Sequence, residues 1–200
     1  MDFPSTPVLD NFNRANGPLG ANWTGYEFPG ATIISNRVDS NASSTGGRAW
    51  TAATFGPDCE SYLTVADNNG GTPTVAAGAR LRQLGNLTTD GYIHQQVSGT
   101  STIQRYDDGA LTQIGASVTA TFAAGDKIGI TASSSTLTGY KNSGSIISRT
   151  DSTYSAAGYV SLECQQGSTA VDDFGGGSIT GTMIPAPSTQ PLTHPPFRRF

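Results

Sequence analysis

Two stretches near opposite ends of this chain decide its fold: LDNFNRANGPLGANW at residues 9–23 and AVDDFGG at residues 170–176. Each carries an aspartate shortly before a phenylalanine in a short, strand-like segment, and the sequence between them contains only β signals. If the first and last strands pair with each other, the sheet closes on itself and two exposed edges disappear. We therefore predict one closed β domain that extends from about residue 8 to residue 176.

The composition of the chain is that of an all-β protein. Glycine accounts for 25 of the 200 residues and charged residues for only 13%. No window of helical length repeats apolar residues with the period of a helix, and short alternating segments are separated by turn clusters such as DNNGG at residues 67–71. This pattern predicts a two-sheet antiparallel sandwich, with residues 1–180 as its domain.

Charge and hydropathy exclude several partners. The net charge of −4 argues against nucleic-acid binding, which needs a basic surface. No apolar stretch approaches the roughly 20 residues of a membrane span, which argues against membrane insertion. The first residues, MDFPSTP, have neither a basic start nor an apolar run, so we expect no signal peptide and synthesis in the cytoplasm.

The only two cysteines, Cys59 and Cys164, both lie in predicted strands. A disulfide between them would close a long loop and stabilise the fold by about 4 kcal/mol in the loop-entropy model. The alternative is two buried thiols that act as small hydrophobic groups. Synthesis in the cytoplasm favours the thiols.

The composition changes after residue 180. Five prolines fall within residues 185–200, and proline cannot serve a central strand, so we predict an extended Pro-rich tail over residues 181–200. Aromatic side chains at its end can anchor in a groove of a neighbouring protein, while arginines pair with acidic groups. The predicted docking residues are Pro195, Pro196, Phe197, Arg198, Arg199 and Phe200.

Several separated motifs occur in the order found in one known family. They are DNFNRANGPLG at residues 10–20, FGPD at 55–58, GDKI at 125–128, STLTGYKNSG at 135–144 and DDF at 172–174. With these motifs, residues 8–176 resemble the concanavalin A-like, laminin-G-like jelly-roll modules of bacterial and phage proteins. The resemblance implies a jelly-roll sandwich. It also implies the roles of such modules, as glycan binders, minor tail proteins and structural virion components.

The chain lacks the residue patterns of common hydrolases. A glycosidase needs two carboxylates at a fixed separation, and the three glutamates, Glu27, Glu60 and Glu163, are scattered. The histidines, His94 and His194, come with no nucleophile motif, and the histidines and cysteines lack zinc-ligand spacing. We therefore predict no catalytic residues and a protein that is not an enzyme.

Calcium is the one cofactor for which the sequence offers candidate ligands. Jelly-roll sugar binders often hold structural calcium with aspartates, and pairing of the terminal strands would bring Asp10, Asp172 and Asp173 together. The alternative, which we favour, is that these aspartates have solvated carboxylates at turns and strand ends. We therefore commit to no metal ligand.

Two neighbouring strands suggest a glycan-binding surface. Alternation places Tyr92, His94 and Gln96 on one face of the first strand, and pairing with the next strand would add further polar and aromatic groups. The alternatives are a solvated sheet face and a face buried under a protein partner. Trp23 and Trp50 are expected in the core. The candidate glycan-binding residues are Tyr92, His94, Gln96, Gln104, Tyr106 and Tyr140.

These features together favour a non-enzymatic surface or structural protein of a virion, either a phage capsid decoration or a tail component. It would dock on other virion proteins through its C-terminal tail and bind cell-surface glycans weakly during host adhesion. The first alternative is a free, lectin-like carbohydrate-binding module. The second, a glycan-processing enzyme, is disfavoured because paired carboxylates are missing.

Overall fold

The computed structural model describes residues 2–26, 30–40, 45–68, 73–85, 88–165 and 169–179. These residues form strands and no helix, so no helix long and apolar enough to span a membrane occurs among them, and the predicted all-β class is confirmed. The strands are β1 (Val8–Asp10), β2 (Trp23–Gly25), β3 (Ala31–Ile34), β4 (Arg37–Ser40), β5 (Thr45–Phe55), β6 (Cys59–Asn68), β7 (Val75–Arg82), β8 (Asp90–Val97), β9 (Thr100–Asp107), β10 (Ala110–Gln113), β11 (Val118–Thr119), β12 (Lys127–Ser133), β13 (Thr136–Lys141), β14 (Gly144–Thr150), β15 (Gly158–Gln165) and β16 (Thr169–Ser178).

The strands form two antiparallel sheets, which pack face to face as a sandwich. Sheet A has the order β14-β13-β12-β6-β16-β4-β3, and β1 also pairs with β16. Sheet B has the order β10-β9-β8-β7-β15-β5-β2, and β11 also pairs with β9. The predicted two-sheet antiparallel sandwich is therefore confirmed.

The terminal strands pair as predicted, but they do not close a sheet. Val8 pairs with Gly175, and Asp10 pairs with Phe174. Along its other side β16 pairs with β6, and its first residues also pair with β4, so β16 lies in the middle of sheet A, whereas β1 has no other partner among the described strands. The prediction of a closed β domain is wrong, because sheet A ends at β14 and β3 and keeps two edges.

The core fills the space between the two sheets. Trp23 and Trp50 belong to its larger cluster, as predicted, and are 8% and 9% exposed. A second cluster around Tyr92 also lies between the sheets. A third, around Ile93 and Tyr106, lies on the outer face of sheet B, because neighbouring residues of a strand point to opposite faces.

The C-terminal tail lies outside the described residues. This holds for all of its predicted docking residues, from Pro195 to Phe200. The boundary at residue 180 and the docking role of the tail therefore stay predictions.

Candidate binding groove

The predicted glycan-binding residues do not share one surface, because the register of the β8–β9 hairpin separates them. Its two-residue turn, Ser98-Gly99, has positive φ at both residues and places β8 and β9 in register from Val97 and Thr100 onward. Residues 92, 94 and 96 are therefore opposite residues 105, 103 and 101, on the face that looks into the sandwich. The prediction of a single surface is wrong, since residues 104 and 106 lie on the other face.

Tyr92, His94 and Gln96 are fully buried between the sheets, so no glycan can contact them. His94 Nδ1 lies 2.9 Å from the backbone oxygen of Gly129 in sheet A. The Tyr92 hydroxyl donates a hydrogen bond of 2.7 Å to Asp151, and the Gln96 amide donates to a backbone oxygen. The Tyr92 hydroxyl, the Gln96 amide and His94 Nδ1 are thus bonded inside the fold, whereas His94 Nε2 is buried without a partner among the described residues.

Gln104 and Tyr106 lie on the outer face of sheet B, where Tyr106 is only 1% exposed. The hydroxyls of Tyr106 and Tyr26 donate hydrogen bonds of 2.9 and 2.7 Å to the same oxygen of Glu163. The amide of Gln104, which is half-buried, donates to Gln95. Tyr106 therefore belongs to a closed polar cluster and presents no aromatic surface to solvent.

Tyr140 occupies a third location. It lies in β13 on the outer face of sheet A, where the ring of Phe3 stacks on it at a centroid distance of 4.0 Å and an angle of 11°. The six predicted residues are thus divided among the sandwich interior and its two outer faces. They do not form one binding site.

Pairing of β1 with β16 brings Asp10 near Asp172, but the carboxylate of Asp10 already accepts hydrogen bonds from other side chains. Its carboxylate accepts bonds of 2.7 and 3.0 Å from Arg14 and of 2.8 Å from Trp23 Nε1. Burial alone would raise the pKa of Asp10, but these bonds together lower it. Burial, followed by the charges of Asp173 and Asp10, raises the pKa of Asp172. Among the described residues, no group of three or more His, Cys, Asp or Glu could hold a metal ion.

Residues 11–22 form a loop, here named the plug loop, that covers the open edge of the sandwich between β2 and β3. Gly17 exchanges backbone hydrogen bonds of 3.0 and 2.7 Å with Ile33 of β3, and the loop ends where β2 begins. Phe12 and Leu19 are buried and fill the gap between the sheets. The plug loop therefore explains why the first diagnostic stretch of sequence is long and rich in turn residues.

Three neighbouring concavities lie beside the plug loop, and together they are here named the edge groove. Their volumes are about 430, 380 and 320 Å³. The first two share Leu19 and Gly20, and the last two share Asp10. Trp23 lines the first and Trp50 the second, with their rings packed edge to face at 5.3 Å. This edge groove is lined by residues 8–11, Arg14, residues 18–23, Gly25, Ala31, Arg48 and Trp50.

Polar groups surround the two tryptophans. The guanidinium of Arg48 lies over Gly25, where a side chain would collide with it. Burial lowers the pKa of Arg48, but an arginine stays charged at neutral pH. Asn22 is exposed, and the ion pair between Asp10 and Arg14 lies beside it in the groove. The edge groove thus combines indole edges with amide, guanidinium and carboxylate groups.

No pattern in the sequence indicated Arg48 or Asn22 as site residues. Arg48 follows two glycines in β5, and Asn22 lies in a loop, so neither belongs to an alternating pattern. The two tryptophans are the one signal that could have located the groove, because β2 pairs Trp23 directly with Trp50. The sequence predicts both residues in the core, and most of each side chain does lie there.

No family model and no curated protein matches this sequence. Solved structures do match. The carbohydrate binding module CBM66 from Bacillus subtilis is 16% identical with a TM-score of 0.62, over 80% of this chain and 98% of the module. The exoplasmic/lumenal domain of VIP36, in a Ca²⁺- and Man-bound form, is 13% identical with a TM-score of 0.61, over 82% and 86%. LamAcat from Zobellia galactanivorans is 11% identical with a TM-score of 0.54, over 86% and 97%.

The fold is a concanavalin A-like jelly roll. Its structural neighbours include the carbohydrate binding module CBM66 and the exoplasmic/lumenal domain of VIP36, which confirms the predicted fold class. Identities of 11 to 16% show a shared fold and nothing finer. None of the three compared structures is described as a phage or virion protein.

Proposed function

We propose that this jelly roll is a carbohydrate-binding module that holds its ligand in the edge groove and performs no catalysis. The observation that carries the proposal is the edge groove itself, in which Trp23 lines one of three neighbouring concavities and Trp50 lines another. Sugars have apolar faces that pack on aromatic rings and hydroxyls that bond to amides and charged groups. Asn22 and Arg48 supply such groups beside the rings.

The structural neighbours support the same class of ligand. CBM66 is described as a carbohydrate binding module, and one VIP36 structure is a complex with Ca²⁺ and Man. A variant of LamA was crystallised with laminaritriose and laminaritetraose. Because a fold hosts many functions, the residues of the groove decide the proposal and the neighbours add to it.

The positions of the two described glutamates support binding without catalysis. Glu60 lies on the outer face of sheet A and Glu163 on the outer face of sheet B. Packed sheets are about 10 Å apart, so two outward-pointing carboxylates are farther apart than the roughly 5 to 9.5 Å of glycosidase pairs. These two glutamates therefore cannot act on one glycosidic bond.

Three aspartates at one end of sheet B, Asp90, Asp107 and Asp151, form hydrogen bonds and ion pairs that stabilise the fold. The Tyr154 hydroxyl lies 2.9 Å from Asp90 and 2.8 Å from Asp107. Arg105 forms ion pairs of 2.8 Å with Asp107 and 2.6 Å with Asp151. These bonds attach the segment around residues 151–154 to β8 and β9, so we assign the three carboxylates no catalytic role.

The proposal is tested by a glycan array, followed by calorimetric titration of the strongest ligand into groove variants. Asn22→Ala and Arg48→Ala should each weaken binding about tenfold, because losing one hydrogen bond to a ligand costs about 1 to 1.5 kcal/mol. Asn13→Ala and Arg37→Ala are matched controls outside the groove and should bind like the wild type. A chain that binds no glycan, or groove variants with unchanged affinity, would refute the proposal.

A virion role stays a prediction, because the tail residues that carry it lie outside the described residues. It requires that the chain accompanies purified particles through its tail, and a chain that never does so contradicts it. Structural calcium, the alternative that the sequence did not favour, stays open and is supported by the Ca²⁺-bound VIP36 structures. Melting temperatures in calcium and in chelator decide it, since an ion that binds only the folded state must raise the melting temperature.

A further inference from the structure

Residues 2–7, here named the arm, cross the outer face of sheet A at a distance from the tryptophans of the edge groove. Phe3 is 4% exposed because its ring stacks on Tyr140 and meets the ring of Tyr62 edge-on at 6.1 Å. The Tyr62 hydroxyl donates a hydrogen bond of 2.9 Å to the backbone oxygen of Thr6. The arm is thus held by an aromatic pocket at one end and by polar contacts at the other.

The floor beneath the arm is made of glycines on two strands. A side chain at Gly129 of β12 would collide with the ring of Phe3, and one at Gly177 of β16 would collide with Thr6. Gly175 is equally constrained, because a side chain there would displace Tyr62. Glycine at positions 129 and 177 therefore leaves room for Phe3 and Thr6 of the arm on the sheet.

Glu60 holds the arm by its backbone. One carboxylate oxygen, Oε1, accepts hydrogen bonds of 2.6 and 2.7 Å from the backbone N–H groups of Ser5 and Thr6, and of 2.8 Å from the Thr6 hydroxyl. Glu60 is fully buried, and its other oxygen, Oε2, has no hydrogen-bond partner among the described residues. A fully buried carboxylate with an unused acceptor lowers the stability of the fold, so its presence calls for an explanation other than stability.

We propose that the outer face of sheet A is a peptide-binding site, and that the arm is its resident ligand. The site takes an extended segment in which a phenylalanine precedes two consecutive free N–H groups, the second with a hydroxyl side chain. The Phe3 ring fills the pocket formed by Tyr62 and Tyr140, and the Glu60 carboxylate accepts hydrogen bonds from the two N–H groups, those of Ser5 and Thr6 in the arm. When the arm's own contacts are removed, the same sequence supplied as a separate peptide binds in its place.

A peptide fits this site better than a sugar does, because three of the contacts require a peptide backbone. Two are the N–H groups held by Glu60, and the third is the carbonyl that accepts from Tyr62. Side-chain recognition adds the phenylalanine ring. The proposal is independent of the edge groove, so either one can fail without the other.

The test uses the full chain with the double substitution Phe3→Ala and Thr6→Pro, which removes the aromatic anchor, one N–H group and the hydroxyl. A fluorescein-labelled, N-acetylated peptide with the sequence of residues 2–8, DFPSTPV, is titrated and followed by fluorescence polarisation. We expect saturable binding to this variant, about tenfold or more tighter than to the wild type. The attached arm of the wild type competes at a millimolar effective concentration.

The controls separate this site from unspecific binding. Adding Glu60→Ala or Tyr140→Ala to the double variant should abolish saturable binding, and so should replacing phenylalanine in the peptide by alanine. Binding that is equal for the wild type and all variants, or absent from the folded double variant, overturns the proposal. Dimers of the wild type that form through this face would instead show that a second copy supplies the arm, with Glu60→Ala dissociating them.

Hydrogen exchange keeps the test decisive if the double variant does not fold. In the wild type, the amides of Ser5 and Thr6 should be protected, because both are bonded to a buried carboxylate. The single substitution Glu60→Ala should reduce this protection about tenfold or more, since it removes the shared acceptor. Unprotected amides in the wild type would also overturn the proposal.

Discussion

The imidazole of His94 lies between the two sheets and is fully buried. A side chain at Gly139 would collide with this ring, so glycine at that position makes room for the histidine. Burial lowers the pKa of His94 to about 4, although the hydrogen bond to Gly129 acts in the opposite direction. The ring is therefore neutral in the folded protein at neutral pH, whereas in the unfolded chain it has an ordinary pKa.

We expect the free energy of unfolding to fall as the pH is lowered from 6.5 to 4. In this window the unfolded chain takes up a proton at His94 that the folded protein excludes, so acid favours unfolding. The contribution is fully present above pH 6.5, and its loss amounts to about 3 kcal/mol by pH 4. Urea titrations at several pH values measure it.

The control for this prediction is His94→Gln, which has no group that titrates in the window. The variant is less stable than the wild type at pH 7, but the difference in stability should narrow steadily toward pH 4. If the difference stays constant across the whole pH range, His94 does not titrate as the structure requires.

The alternation of residues 92–97 predicted a strand and its two faces, but it could not show which face is buried. One face carries Ile93 and Val97 and the other carries Tyr92, His94 and Gln96, so hydropathy points to the first as the core face. The more polar face looks into the sandwich, where all its side-chain polar atoms at Tyr92, His94 and Gln96 except His94 Nε2 have hydrogen-bond partners, several of them on other elements. Such partners are a tertiary property that a local pattern does not contain.

Among the elements, the plug loop owes its shape to Asp10 at its base. The carboxylate accepts hydrogen bonds from the backbone of Phe12, from the Arg14 guanidinium and from the Trp23 indole. It therefore joins both ends of the loop at one point. Since only 10% of its side chain is exposed, water replaces these bonds poorly when the carboxylate is lost.

We expect Asp10→Ala to lower the free energy of unfolding by about 2 to 4 kcal/mol, because it leaves the indole N–H and the guanidinium without their acceptor. Urea denaturation followed by tryptophan fluorescence measures the loss and also reports on Trp23. Asn13→Ala, in the same loop but exposed, is the matched control and should change stability by less than about 0.5 kcal/mol. Equal stability of the two variants would contradict the role given to Asp10.

For the molecule as a whole, the two cysteines report on the packing of both sheets. Cys59 is the first residue of β6. Cys164 pairs with Val75, the first residue of β7, and β7 follows the opposite end of β6 along the chain. The ten residues of β6 span about 30 Å, so the thiols belong to different ends and different core clusters. Both thiols are free and buried in the structure, which agrees with the favoured prediction.

We expect both thiols to be inert in the native protein. Burial raises the pKa of Cys59 to about 11 and that of Cys164 to about 12, so the reactive thiolate is scarce at neutral pH. A thiol reagent should therefore label no cysteine in buffer and two in denaturant. Adding reductant should leave the melting temperature unchanged. A loss of 2 Da in the intact mass, reversed by reductant, would instead reveal a disulfide.

Local patterns predicted the strands, the turns and the sandwich, since alternation and turn chemistry are encoded within a few residues. They did not predict that β16 pairs with β6 as well as with β1. Without this second partner, the pairing of β1 with β16 appeared sufficient to close the sheet. The edge groove was equally hidden. Its residues come from β1, the plug loop, β2, β3 and β5, and they meet only where the two sheets leave an edge open.

The central place of the last strand in sheet A has a consequence for synthesis and folding. Among the described strands, β1 pairs only with β16, so one of the first segments to be made must wait for one of the last. The entropy of closing so long a loop has to be offset before this pairing contributes anything, which slows folding. During translation the chain therefore carries an unfinished sheet, and the release of residues 169–178 from the ribosome sets the moment when it can become native.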